Sequence, residues 1–365
     1  MDVKQVDIEE FIIQCKSHPI LDVRSPGEYA HAHIPGAISF PLFTDEERAI
    51  VGTLYKQESR ESAIRKGLEF FGPKLIQLLD KAERILEECK SIRERVSEPK
   101  LLVHCWRGGL RSAGVAWLLR LYGFDIITLK GGYKAYRRWV LAQFEKKWNF
   151  LVVGGFTGSS KTETLSCLSS IHNEKVIDLE MLARHKGSAF GGIGQSEPQP
   201  TQEMFENRLA GVLYDIDNLN NREEVNVKSH IWVEDESQRI GNVNIPQPLY
   251  DQLLTSKLVF LQIPFGKRLD YIVSIYGKLD RKLIIAAIIR LQKKMGGLET
   301  KESIGFLLEG NIEKSFQILL RYYDRLYEKA LIKKRDGLIS LTTIPLDSVD
   351  PQMIAVTLIK QKPYE

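Results

Sequence analysis

Lys100-Leu101-Leu102-Val103-His104-Cys105-Trp106-Arg107-Gly108-Gly109-Leu110-Arg111-Ser112 is the stretch on which the rest of the chain turns. The short apolar run 100–104 predicts a buried strand, and residues 113–120 have helical spacing with Ser112 near their start. Cys105 therefore stands where a strand hands over to a loop that enters a helix N-terminus. Unpaired N–H groups and the helix dipole favour negative charge there. A thiol in that field ionises more readily to the reactive thiolate. Gly108 and Gly109 let the backbone curl, while Arg107 and Arg111 add charge and one of them could grip an oxyanion bidentately. The loop reads as an anion cradle facing a nucleophilic sulfur. The competing reading is a buried structural cysteine, which two glycines and two arginines suit poorly.

Around this stretch, residues 20–24, part of 33–42 and 125–129 read as further strands, and residues 6–15 and 74–96 as helices. The alternation predicts a parallel α/β domain. Asp22 and Arg24 read as an ordinary strand-end pair, and His31 and His33 as loop residues; no metal ligand is assigned. Residues 133–148 form a basic helix with interleaved Tyr133, Tyr136, Trp139 and Trp148. That pattern suits nucleic acid, with Arg137 and Arg138 as candidate contacts. An interdomain helix with buried aromatics fits it equally.

The second half opens on an apolar strand, residues 150–153, running into Gly154-Gly155-Phe156-Thr157-Gly158-Ser159-Ser160-Lys161-Thr162 and a helix. This is P-loop spacing: backbone N–H groups cradle phosphates, the lysine reaches the outer phosphate and the hydroxyl can hold Mg²⁺. Gly155, Gly158, Ser159, Ser160, Lys161 and Thr162 are the candidate phosphate-binding residues. Ser160 stands where a glycine is expected, placed by this reading in the first helical turn, its Cβ crowding the phosphate so that glycine would bind tighter. Residues 231–237 form a second apolar strand ending in Glu234, Asp235 and Glu236, one of which could face the P-loop metal. A basic, glycine-rich segment carrying Arg184, His185, Gly187 and Ser188 is a candidate substrate lid. The basic helical tail from Lys267 reads as solvated faces.

At 365 residues, with 43% hydrophobic and 27% charged residues, the chain suits two soluble domains, expected at 1–140 and 141–365. A net charge of +4 permits an anionic partner without demanding one. Four cysteines with no C-x-x-C pair argue against a zinc site or disulfide framework. No signal peptide or membrane span is expected, which points to the cytoplasm.

Asp22-Val23-Arg24-Ser25-Pro26-Gly27-Glu28-Tyr29, His33-Ile34-Pro35-Gly36-Ala37, the Cys105 loop and Leu129-Lys130-Gly131-Gly132-Tyr133 together resemble a rhodanese domain. With the P-loop half, the stretches 41–48 and 51–57, Gly187-Ser188-Ala189-Phe190-Gly191-Gly192 and 234–241, the chain resembles the tRNA 2-selenouridine synthase family. The resemblance implies an N-terminal rhodanese-like parallel sheet, then a P-loop α/β domain with a helical C-terminal part. It implies geranylation of wobble 2-thiouridine in the anticodon arm of tRNA from geranyl diphosphate, then replacement of the S-geranyl group by selenium from selenophosphate. Cys105 would be the selenium-transferring nucleophile or acceptor, Arg107 and Arg111 would hold the phosphate, and Lys161 and Thr162 the diphosphate. Leu110 stands where the family often has methionine. Mg²⁺ is a candidate cofactor, and the sequence leaves ATP binding open. Two other readings stay open: a rhodanese-like cysteine phosphatase, from the Cys105-x5-Arg111 spacing, and an ATP-dependent sulfurtransferase.

Overall fold

Five strands, β1 (Lys4–Val6), β2 (Ile20–Asp22), β3 (Ala37–Ser39), β4 (Leu101–His104) and β5 (Ile126–Leu129), form a sheet in the order β1-β5-β4-β2-β3. Every pairing is parallel. Central β4 is buried along its length, which is why it reads as an unbroken apolar run rather than an alternating one. Its neighbours Leu21 and Val23 join Leu101, Val103, Val115 and Leu119 in one core. The carboxyl end of β4 delivers Cys105 to the loop, and the helix Leu110–Tyr122 follows. The expected helix at 6–15 is corrected: Val6 ends β1, Asp7 caps the N-terminus by accepting from Glu10 N–H at 3.0 Å, and the helix is Ile8–Cys15. A three-residue edge strand is too short to show a period.

The structure, a computed structural model, describes residues 3–92, 100–187, Phe190, 197–222, 230–335 and 341–361. They divide into two units, Met1–Gln143 with Glu206–Gly211, and Phe144–Phe205 with Val212–Glu365. The helix expected at 74–96 spans Leu75–Ile92, and residues 93–96 lie outside the described residues.

The second unit contains β6 (Phe150–Gly155), β7 (Val176–Ile177), β8 (Ile231–Glu234), β9 (Arg239–Ile240), β10 (Val243–Asn244), β11 (Lys257–Gln262) and β12 (Leu341–Pro345). β9 and β10 pair as a small antiparallel ribbon, and the others form a parallel sheet ordered β12-β11-β6-β8-β7. Val153 of β6 lies opposite Glu234 of β8. The loop leaving β6 and the acids leaving β8 thus share the carboxyl edge, where open α/β sheets bind ligands. The basic residues Arg281, Lys282, Arg290, Lys293 and Lys294 of the tail are exposed, as the solvated-face reading expects. Helices Phe265–Tyr276, Arg281–Met295, Gly297–Leu308 and Ile312–Arg335 bury a core of Leu269, Ile284, Ile288, Leu307, Phe316 and Leu319. Among the described residues no helix is long and apolar enough to cross a membrane.

Candidate active sites

Cys105 is 3% exposed, and its Sγ lies 3.2 Å from Ser112 Oγ, which also donates to Gly109 O at 3.1 Å. A second helix, Gly132–Glu145, holds the loop from the other side. Its first N–H groups donate to the loop carbonyls, Tyr133 N to Cys105 O at 2.8 Å and Lys134 N to Trp106 O at 2.9 Å. Gly108 and Gly132 make this approach sterically possible. A Cβ on Gly132 would sit 2.4 Å from Cys105 O, and one on Gly108 would sit 2.6 Å from Leu129 O. Both have positive φ, +58° and +64°, which glycine adopts without penalty. Beneath the loop lies a fully buried pair. Arg24 donates to both Asp22 oxygens, from Nη2 at 2.6 Å and Nε at 2.9 Å, and stands 3.8 Å over the Tyr133 ring. The pair is a core support for the loop rather than an ordinary strand-end contact.

The two loop arginines part company. Arg107 is exposed. Arg111 is engaged by Glu28, its Nη1 donating to Oε2 at 2.6 Å, and Glu28 also lies 3.8 Å from Arg48. Burial opposes the Glu28 charge, but the hydrogen bond and charge of Arg111 outweigh it and hold the carboxyl below its usual range. The sequence reading assigned Arg111 a phosphate to hold; here its guanidinium holds the Glu28 carboxylate. Arg137 is likewise taken up, paired with Glu206 and donating to Asn207 Oδ1. Tyr133 and Tyr136 are 0% and 1% exposed, so they cannot serve as stacking platforms. Arg138 stays exposed.

In the second unit, Gly155 and Gly158 have φ of +154° and +85°. A Cβ on Gly158 would lie 2.9 Å from Ile272 Cγ1 and 3.0 Å from Arg268 O. Ser160 caps the helix Lys161–Ser170 with φ +51° and ψ +36°. The expectation that this position lies in the first helical turn is therefore wrong: its backbone is left-handed, and glycine is favoured there for conformation, not space. Ser159 and Ser160 are 0% and 5% exposed, and both hydroxyls lack a hydrogen-bond partner. Orphan donors of this kind need an acceptor, and a phosphate oxygen would supply one.

Lys161 Nζ donates to Gly155 O at 3.1 Å and pairs with Glu234 at 3.4 Å. Thr162 Oγ1 donates to Glu234 at 2.8 Å and lies 3.2 Å from Glu180. Glu234 is therefore the acid facing the P-loop. Asp235 instead accepts from the Tyr327 hydroxyl at 2.6 Å, and that hydroxyl accepts from Gly155 N–H at 3.3 Å. Glu180, Glu234 and Glu236 bring carboxylate oxygens within 4.8 Å of one another. The sequence reading offered Thr162 and one of Glu234, Asp235 and Glu236 for a P-loop metal and missed Glu180, whose only local signal is a short helix, Leu179–Ala183, capped by Asp178. With the Thr162 hydroxyl this is an all-oxygen donor set, which suits Mg²⁺. Burial and the charge of Glu234 push Glu180 up to about 8. Burial raises Glu236 and Glu234 as well. Burial opposes the Lys161 charge, but Glu234, Glu236 and Glu180 outweigh it and raise the amine.

The cradle opens into a cavity of about 610 Å³. It is lined by the P-loop and the carboxylates, by Ile275, Tyr276, Leu291, Tyr323, Leu326 and Tyr327, and by the cations Arg290 and Lys294. Lys186 and Gly187 also line it, and a Cβ on Gly187 would sit 2.8 Å from Glu236 Oε2. His185 N–H donates to Glu180 O at 3.0 Å, whereas Arg184 is paired with Glu197. Ser188 lies outside the described residues.

Two family models match in the order the fold suggests: a rhodanese-like domain over residues 6–138, and the tRNA 2-selenouridine synthase AAA domain over residues 148–295. The chain is 38% identical to the tRNA 2-selenouridine synthase of Nitrosomonas europaea over 71% of its own length and 63% of that protein's. It is 32% identical to that of Shewanella denitrificans, over 88% of this chain and 90% of that protein. It is 31% identical to that of Bdellovibrio bacteriovorus, over 87% and 89%. With the sulfur loop in one unit, the phosphate cradle in the other and relatives matched nearly end to end, the chain belongs to the tRNA 2-selenouridine synthase family.

Proposed function

We propose that this protein converts 2-thiouridine at the wobble position of tRNA into 2-selenouridine through an S-geranyl intermediate, with one stage of the chemistry at each site. In the P-loop cavity the thiouridine sulfur attacks C1 of geranyl diphosphate, the C1–O bond breaks and diphosphate leaves into the cradle. Alkylation turns a poor sulfur leaving group into a better one. In the exchange at the Cys105 loop, the Cys105 thiolate displaces geranylthiol from C2, selenium of selenophosphate displaces the Cys105 thiolate in turn, and water cleaves the Se–P bond to release phosphate. Cys105 is the nucleophile of this exchange, and exposed Arg107 the phosphate contact. Glu180, Glu234, Glu236 and Thr162 would hold Mg²⁺, which neutralises diphosphate charge.

The observation that carries this reading is the mixed lining of the cavity. Orphan serine hydroxyls, Lys161, Arg290 and Lys294 share it with aliphatic and tyrosine side chains. A prenyl diphosphate combines the same two chemistries, and burying its apolar tail stabilises the complex by about 25 cal/mol per Å². The test is mass spectrometry of wobble uridine after reaction of the purified protein with thiolated tRNA, geranyl diphosphate and selenophosphate. Cys105→Ala should abolish 2-selenouridine and leave S-geranyl-2-thiouridine accumulating. Normal selenation by that variant, or a requirement for ATP, would overturn the scheme.

A further inference from the structure

Trp106 follows Cys105 directly and is 37% exposed, whereas Tyr133 beneath it is fully buried. The Trp106 ring rests on Tyr133, with centroids 5.7 Å apart, and Arg24 lies 5.9 Å from its centroid. Arg24 is itself locked by Asp22 and the Ala32 carbonyl. The Trp106 backbone is held too, through Lys134 N–H on its carbonyl. A large aromatic ring is thus fixed through its backbone and its neighbours while still partly open to solvent. It forms one wall of a concavity of about 450 Å³ whose other walls include Ser25, His31, Asp45 and Arg48. Arg48 is half exposed, and its contact with Glu28 is a loose 3.8 Å.

We propose that Trp106 is the platform on which a single-stranded RNA base stacks when it is presented to Cys105, with Arg48 meeting the flanking phosphate. The proposal rests on the reading of the Cys105 loop as the selenium-transfer site. A rigid aromatic face next to a cation suits unstacked loop bases, which proteins recognise by stacking and backbone charge. Trp106 is the chain neighbour of Cys105, so a base on its ring is held against the loop that carries the reacting sulfur. The polar walls supply donors and acceptors for a base edge. This moves the expected RNA contact away from Tyr133 and Tyr136, which are buried, to the one aromatic residue of the Cys105 loop.

The test uses the full chain and a fluorescently labelled anticodon stem–loop RNA carrying 2-thiouridine, with affinity read by anisotropy and product by mass spectrometry. Trp106→Ala should weaken RNA binding by about tenfold or more, since removing a stacked base's aromatic partner has an effect of that order. Trp106→Phe should restore affinity to within about threefold of wild type. The alkylation rate of Cys105 by iodoacetamide should be the same in all three proteins, showing that the loop is intact. Unchanged RNA affinity in Trp106→Ala overturns the proposal, as does a loss that Phe does not rescue. Wild-type protein that binds the stem–loop through Trp106 but makes no 2-selenouridine leaves the platform standing and removes the function reading.

Discussion

Ser160 offers a substitution whose effects on stability and on binding separate cleanly. Its left-handed backbone, φ +51° and ψ +36°, costs a residue with a Cβ about 1–2 kcal/mol. Replacing it by Ala removes the hydroxyl and keeps that cost. Replacing it by Gly removes both, but loosens the unfolded chain by about 0.4–1 kcal/mol. Ser160→Gly should therefore be more stable than Ser160→Ala by about 1 kcal/mol. At a urea m-value of about 2–3 kcal/mol/M, the unfolding midpoint followed by tryptophan fluorescence should shift by about 0.3–0.5 M. Binding should move the other way. Ser160 already holds the conformation a glycine would adopt, so glycine places the cradle amides no better. The buried, unpartnered hydroxyl is a ready donor to a phosphate oxygen. A hydrogen bond to a charged acceptor contributes about 1.5–3 kcal/mol, so both variants should bind inorganic diphosphate about tenfold more weakly or worse by calorimetry. Equal stability of the Ala and Gly variants would refute the backbone argument. Unchanged diphosphate affinity would refute the donor role.

Glu180 titrates at about 8 in the folded protein against about 4.3 unfolded. The native state then binds the extra proton between those values, and stability should fall as pH rises through that window. Urea midpoints at pH 5.5 and 8 should show that slope, Glu180→Gln should flatten it, and Mg²⁺ should raise the midpoint at pH 8 in wild type only. Arg137→Ala should lower stability without changing the salt dependence of tRNA binding, because its charge is spent on Glu206; Arg138→Ala should leave stability alone, and if Arg138 meets a phosphate the log–log salt slope flattens by about one unit. Asp22→Asn should destabilise by about 3–5 kcal/mol in a urea titration, since it leaves Arg24 charged, buried and without its carboxylate.

The Cys105 loop and the Lys161 loop were legible in the sequence as strand-to-helix turns because each is local. A strand, a glycine turn and a helix start occupy a dozen consecutive residues, and their spacing alone aims Cys105 and the Lys161 loop. The parallel class followed from the alternation of apolar runs with helical ones. The three-residue β1 was missed, being too short to show a period, and β11 and β12 were not singled out. The acid facing the P-loop could not be chosen from Glu234-Asp235-Glu236, because a strand end does not show which side chain turns toward its neighbour. That depended on β8 lying beside β6 in register, which puts Glu234 against Thr162 and turns Asp235 to Tyr327. Glu28 and Arg111 are 83 positions apart, and no pattern announces their pairing. The sequence by itself therefore determined where strands hand over through glycine turns to helix starts, since turn chemistry and helix starts are short-range. Only the tertiary structure decided which charges pair with which, because electrostatic pairing acts through space and the folded sheet order sets who is near whom.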